Sequence, residues 1–205
     1  MCMIERLANS ITDFLIREQG VSEKMKEWYV YTFVRMLENI ISIGSLLILG
    51  IILGKFIQTV LFLIFFVSLR QRTGGFHFEQ YWHCYVGSML IYLAVVVIES
   101  VMISNTKIWY VILVIAIIIV FAMGTVNHPN INFSHEELRA SRRLARYILT
   151  IEVIIIGAFM GVKLPNTYIW YMSAGVILCA ILLALARVGK QELLLDEGRT
   201  GKNDG

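Results

Sequence analysis

His77 and Cys84, with six residues between them, stand in the segment RQRTGGFHFEQYWHC that runs from Arg70 to Cys84. It is the most polar interruption in the first half of a very apolar chain. An imidazole can take the proton of a thiol, and the resulting thiolate attacks a carbonyl. Ionisable residues at membrane depth are costly, so they usually carry function. If residues 77 to 84 formed one continuous helix, the two side chains would share a face but lie about 10.5 Å apart along the axis. Gly74 and Gly75 break the helix and let the chain turn back, which brings His77 toward a Cys84 near the start of the next helix. A helix N-terminus also stabilises a thiolate and offers free backbone N–H groups to a carbonyl oxyanion.

The neighbours of this pair carry weaker signals. Glu79 or Gln80 could orient the imidazole as the third member of a triad, and each also reads as a solvated or headgroup-facing residue. His83 adjoins Cys84, but adjacent helical residues point about 100° apart, so it is the poorer base. Taken alone, Cys84 also reads as a small buried residue at a helix start. Cys179, in mid-span, reads as packing, and Cys2 as incidental. A metal site at His77, Glu79, His83 and Cys84 is the rival chemistry, yet the spacing matches neither HExxH nor a paired-cysteine pattern.

The elements that must position these residues are transmembrane helices. Of 205 residues, 58% are hydrophobic and 16% charged, with two prolines. Mean hydropathy is +0.71. The apolar residues come in blocks, as in a polytopic membrane protein, and no period-two alternation suggests a membrane barrel. The fold class is all-α, a helical bundle in a single domain over 1–205. Spans are expected at 36–53, 56–69, 81–103, 108–124, 147–162 and 166–187. The first two form a hairpin punctuated by Gly54-Lys55. The second holds fourteen residues, Phe56 to Leu69. That is about 21 Å, short of a hydrocarbon core of about 30 Å. The bilayer must thin, Arg70 must snorkel, or the His77 segment must dip inward; the last is preferred.

Ile4, Leu7, Ala8, Ile11, Phe14 and Leu15 recur at helical spacing. An amphipathic helix is therefore expected in the 1–30 region, in the headgroup zone or packed on the bundle. Charges at Glu5, Arg6, Asp13 and Arg17 break any signal-peptide core. Ser134 with Glu137 forms a capping box, so a helix should start near His135. It carries a basic face of Arg139, Arg142, Arg143 and Arg146. Residues 188–205 read as a flexible tail.

Six spans put both termini on one side. With the amino terminus inside, fifteen Lys and Arg lie inside and three (Lys55, Lys107 and Lys163) outside. That bias predicts a multi-pass cell-membrane protein with the termini and the 70–84 catalytic loop on the cytoplasmic side. A reducing cytosol argues against a disulfide at Cys84. No basic run of nucleic-acid type occurs, so nucleic-acid binding is not expected. A homodimer is compatible with a bundle of this size.

The run Arg70, Gly74, Gly75, His77 and, after six residues, Cys84 resembles the accessory gene regulator B (AgrB) family of membrane peptidases. The length, the amphipathic start, the six-span plan and the His128-Pro129-Asn130 segment before a basic helix resemble it too. The segment after Asn130, INFSHEEL, is less proline-rich than that family's pattern. The resemblance implies a cysteine endopeptidase of quorum sensing, acting in a Gram-positive cell membrane on an AgrD-like propeptide. Cys84 would be the nucleophile and His77 the general base and later the acid. Cleavage would release the propeptide's carboxy-terminal tail and leave an acyl-enzyme thioester. A substrate thiol or hydroxyl would resolve it into a thiolactone or lactone. Arg70 and Gly75 match positions the family needs for activity. Thioester exchange with a substrate thiol is nearly balanced, so no nucleotide or other cofactor is required, and no Walker-type loop occurs. The four arginines of the basic helix could attract an acidic propeptide tail, and they also fit lipid contact and positive-inside topology.

Two other classes compete. A peptide transporter would use intramembrane charges, of which Glu99 and Glu152 are the candidates. A non-catalytic membrane partner would depend on none of these residues.

Overall fold

The computed structural model describes residues 3–19, 25–73, 81–125 and 135–188. Seven helices account for them: α1 (Met3–Gln19), α2 (Lys26–Ile52), α3 (Phe56–Thr73), α4 (Tyr81–Ser104), α5 (Thr106–Met123), α6 (His135–Gly161) and α7 (Asn166–Val188). Among the described residues, α2 to α7 are six helices long and apolar enough to cross a bilayer. An all-α membrane bundle is what the apolar blocks predicted. In hydrocarbon, every backbone N–H and C=O needs a partner within the chain, and a helix supplies it.

Helix α7 runs through the middle. Its residues from Ile169 to Val176 are buried without a break, as are Cys179, Ala180, Leu183 and Ala186. The outer helices instead turn Ile, Val and Leu outward, among them Ile48, Val97, Ile115, Ile118 and Ile154. These form the lipid-facing surface. Between helices the bilayer offers no hydrophobic drive, so close packing by small residues decides which helices meet. Gly175 is such a contact, made against backbone. A Cβ there would lie 2.9 Å from the Phe66 backbone nitrogen, 3.0 Å from Phe65 Cβ and 3.1 Å from the Phe62 carbonyl oxygen. Helix α3 is therefore set directly on α7.

The hairpin between α2 and α3 closes as expected. Gly54 takes φ +67°, its N–H donates to Ile51 O at 3.0 Å, and the Lys55 N–H donates to Gly50 O at 2.7 Å. This pair of bonds is a Schellman motif, with glycine at its left-handed position. Lys163 ends α6 in the same way at φ +58°.

Three boundaries differ from the sequence expectation. Helix α3 continues to Thr73 rather than stopping at Leu69, so its eighteen residues span about 27 Å. The short-span problem is thereby mostly removed. Helix α2 begins at Lys26, ten residues before the apolar block, through a polar stretch in which Arg35 pairs with Glu38 at 3.1 Å. The segment 70–84 is not one loop, since 70–73 belong to α3 and 81–84 to α4. The preferred inward dip of the His77 segment lies outside the described residues.

Helix α1 packs on α2, burying Ala8 and Thr12 and joining Asp13 to Lys26 at 2.6 Å. It leaves Leu7 and Phe14 exposed, an apolar edge suited to the headgroup zone. Helix α6 starts at His135 as the capping box predicted, although Ser134 lies outside the described residues.

The α3–α7 contact yields a test. Gly175→Leu should lower stability by about 1–3 kcal/mol through overpacking against α3 backbone. Gly157→Leu, at a position with nothing within 4 Å of the added Cβ, should leave the melting temperature in detergent unchanged. Equal melting of the two variants would contradict the close α3–α7 approach.

Candidate active site

Cys84 lies in the first turn of α4 and is half-buried. Three contacts fix that turn. Tyr85 Oη donates to Ser45 Oγ on α2 at 3.0 Å. Ser88 Oγ donates to the Cys84 carbonyl at 2.8 Å. Trp82 stacks on Tyr85 with centroids 5.8 Å apart, and its exposed indole suits a membrane–water boundary. The sulfur thus stands at the described start of α4.

Arg70 approaches from the last turn of α3. Its half-buried guanidinium lies within electrostatic reach of both the Cys84 and the Cys179 thiols. Cys179, 1% exposed, donates to the Phe66 carbonyl at 3.3 Å, one turn before Arg70 on α3. It is the buried packing cysteine the sequence suggested, but it also shares the arginine's surroundings, which spacing alone did not reveal. His83 is exposed while Cys84 is half-buried, so the adjacent imidazole and the thiol point into different surroundings. His77, Gly74, Gly75, Glu79 and Gln80 lie outside the described residues.

The four arginines of α6 do not form one free surface. Arg146 Nε donates to the Phe121 carbonyl at 3.1 Å and its guanidinium covers the Phe121 ring at 5.1 Å. Arg142 packs on Gly124, where a Cβ would come within 3.1 Å of its Cγ. Arg139 and Arg143 are exposed and one turn apart. The basic face is thus divided: two arginines tie α6 to α5 and two remain outward.

The acidic residues within the later spans each join two helices, although Glu152 Oε2 is buried without a hydrogen-bond partner among the described residues. Glu99 Oε2 takes Lys55 Nζ at 2.6 Å and Tyr171 Oη at 3.0 Å, at the end of the bundle that holds Gly54. Beside it Thr59 Oγ1 and Tyr92 Oη share a proton contact at 2.5 Å. Glu152, 5% exposed, accepts from Ser68 Oγ at 2.7 Å. Both acids join α3 or its leading turn to another helix, which is a structural use and leaves the transporter reading without support from them.

The chain matches the family model described as accessory gene regulator B over residues 8–183. It belongs to the accessory gene regulator B family. The match takes in α1 through most of α7, including both the Arg70 and the Cys84 turns. Protein FsrB of Enterococcus faecalis (strain ATCC 47077 / OG1RF) is similar, 24% identical over 132 residues, covering 62% of this chain and 53% of that protein. The aligned part thus spans about half the length of that curated relative. No solved structure matches. For an accessory gene regulator B protein, the Cys84 turn with Arg70 beside it is the candidate active site.

The burial difference between the two cysteines gives a direct test. In a Cys2→Ser background, iodoacetamide should alkylate Cys84 at least about tenfold faster than Cys179 in the folded protein, because access and thiolate character govern the rate. Mass spectrometry of the two peptides reads it. Equal, slow labelling would remove Cys84 as an accessible nucleophile.

Proposed function

We propose that this accessory gene regulator B protein is a membrane cysteine endopeptidase that processes an AgrD-like propeptide of quorum sensing. The observation that carries the reading is the half-buried Cys84 thiol in the first turn of α4, within electrostatic reach of the Arg70 guanidinium, in a chain whose family match runs through both.

On this reading His77 accepts the Cys84 proton and the sulfur attacks the peptide carbonyl before the propeptide's carboxy-terminal tail. The carbonyl oxygen becomes an oxyanion. The N–H groups of the α4 start and the Arg70 cation are the candidates to hold that charge. Collapse breaks the C–N bond, and His77 returns the proton to the leaving amine. The amino-terminal part stays on Cys84 as a thioester. A thiol or hydroxyl of the same substrate then gives up its proton and attacks, Cys84 leaves as the thiol, and a thiolactone or lactone results. Gly74 and Gly75 let the chain turn so that His77 reaches the sulfur, and Glu79 is the candidate to orient its imidazole. The chemistry calls for no cofactor.

The bias of Lys and Arg supports a bacterial cell-membrane location with both termini and the site on the cytoplasmic face. There Arg139 and Arg143 offer an acidic tail its electrostatic landing point. Arg142 and Arg146 are engaged with α5 and contribute less.

Coexpression with an epitope-tagged AgrD-like propeptide tests the chemistry. Cys84→Ala should leave the propeptide uncut while inserting normally into membranes. His77→Ala should slow cleavage by about 10² to 10⁴-fold, and His83→Ala should leave it near wild type. Processing by the Cys84→Ala variant would overturn the assignment, and loss of activity on His83 rather than His77 would move the base.

A second test concerns the outward arginines. Arg139→Glu with Arg143→Glu should raise KM several-fold at low ionic strength, with kcat held and the effect fading as salt screens it. An unchanged KM would leave these two arginines to lipid contact.

A further inference from the structure

Arg72 lies in the last turn of α3, one residue before the helix ends. The last four carbonyls of a helix have no partner within it. Here the Arg72 carbonyl is taken by two hydroxyls from outside. Thr125 Oγ1, just beyond α5, donates at 2.9 Å. Ser141 Oγ, in the second turn of α6, donates at 3.0 Å. The two hydroxyl oxygens are 3.5 Å apart. Each has one proton and the carbonyl has two lone pairs, so the best use of both protons is the carbonyl. Thr125 is 2% exposed and Thr73 is fully buried, so the Thr125 side of this junction is packed. Thr125 is presented by Gly124 at φ +68°, against which Arg142 packs.

We propose that Thr125 and Ser141 are positioning residues for the reaction at Cys84. Together they cap the end of α3 from two other helices and so stop its last turn from fraying. That turn carries Arg70, the cation within electrostatic reach of the Cys84 sulfur. The cap therefore fixes the arginine, and the direction in which the chain leaves α3, relative to the start of α4. For its activity readout the inference rests on the peptidase reading above.

The test uses the full chain in nanodiscs with the same tagged AgrD-like propeptide. The variants are Thr125→Val, Ser141→Ala, the pair together, and Thr125→Ser, which keeps the hydroxyl. Each single loss leaves one donor on the carbonyl and should lower kcat by about two- to threefold. The double loss removes both outside donors from the Arg72 carbonyl and should lower kcat by about tenfold or more, with KM unchanged. Thr125→Ser should retain wild-type turnover. A purely structural tie predicts instead that activity falls only in proportion to folded protein, which fluorescence-detected gel filtration measures in parallel. A double variant with wild-type kcat, or one whose loss tracks folded protein alone, overturns the proposal. If the double variant does not accumulate, Thr125→Val against Thr125→Ser decides: equal turnover of the two overturns it.

The alkylation rate of Cys84 by iodoacetamide, read by mass spectrometry, separates this inference from the peptidase reading. If Cys84→Ala still cuts the propeptide, the peptidase reading falls, and the cap is then judged on alkylation. A changed Cys84 rate in the double variant, with the Cys179 rate unchanged, sustains it, and an unchanged Cys84 rate sinks it.

Discussion

At Gly175 there is no room for a single added carbon between α7 and the backbone of α3. Much of the rest depends on that approach. It puts Phe62, Phe65 and Phe66 against the central helix, and it lets the Cys179 thiol donate to the Phe66 carbonyl. Arg70 follows Phe66 by one turn, so its depth is inherited from the same contact. In a bilayer such an approach is favoured by dispersion and by the polar bonds it permits, because lipid tails solvate Leu and Ile as well as a protein interior does. A glycine on the central helix is therefore a geometric requirement of the arginine's position one to two turns further along α3.

Polar ties then hold α3 along its length. At its leading turn Lys55 pairs with Glu99, which also accepts from Tyr171. In its body Ser68 donates to Glu152. At its end the Arg72 carbonyl receives Thr125 and Ser141. These partners lie on α4, α7, α6 and the end of α5, so every later span is joined to α3. Each tie satisfies a group that would be expensive to leave alone in hydrocarbon. The acids at 99 and 152 illustrate the point. Seen in sequence they suggest a translocation path, yet each is engaged in fastening one helix to another.

The spans were legible because blocks of apolar residues are long and few things other than membrane helices produce them. The hairpin at Gly54 was legible because it depends on local chemistry, a left-handed glycine, and the helix over the basic segment from His135 was legible from its pattern. The end of α3 was not. Hydropathy stops at Leu69, while the helix runs on through Arg70 and Arg72, whose long stems can lie along apolar neighbours with their charged heads elsewhere. The start of α2 was hidden for a similar reason, since Lys26 to Arg35 is too polar to read as part of a span. The basic face of α6 was correctly placed on one helix, but what surrounds each arginine depends on α5, so the split between Arg142 with Arg146 and Arg139 with Arg143 has no local signature. Thr125 and Ser141 are ordinary hydroxyls in sequence, 53 and 69 residues from the carbonyl they share. The place of Cys84 in the first turn of a helix was readable. The approach of His77 to it rests on Gly74 and Gly75 and on the family pattern, since those residues lie outside the described ones.

The proposed chemistry sets a further demand on this geometry. A peptide bond is more stable than a thioester, so attack by Cys84 is readily reversed by the amine it releases. The forward direction needs that amine to become protonated and depart, which an interface open to water allows. The thioester left behind faces the opposite requirement, because water would hydrolyse it to a linear acid. Ring closure by a nucleophile of the same chain has an advantage here: well-oriented intramolecular attack reaches effective concentrations of about 10⁵ M or more, far above that of water. A sulfur half-buried at the first turn of α4, between a wet boundary and a packed bundle, meets both conditions. One side lets the charged tail leave, and the other keeps water scarce while the remaining chain folds back on the thioester. Moving the sulfur a turn deeper would trap the tail, and moving it a turn outward would favour hydrolysis over the ring.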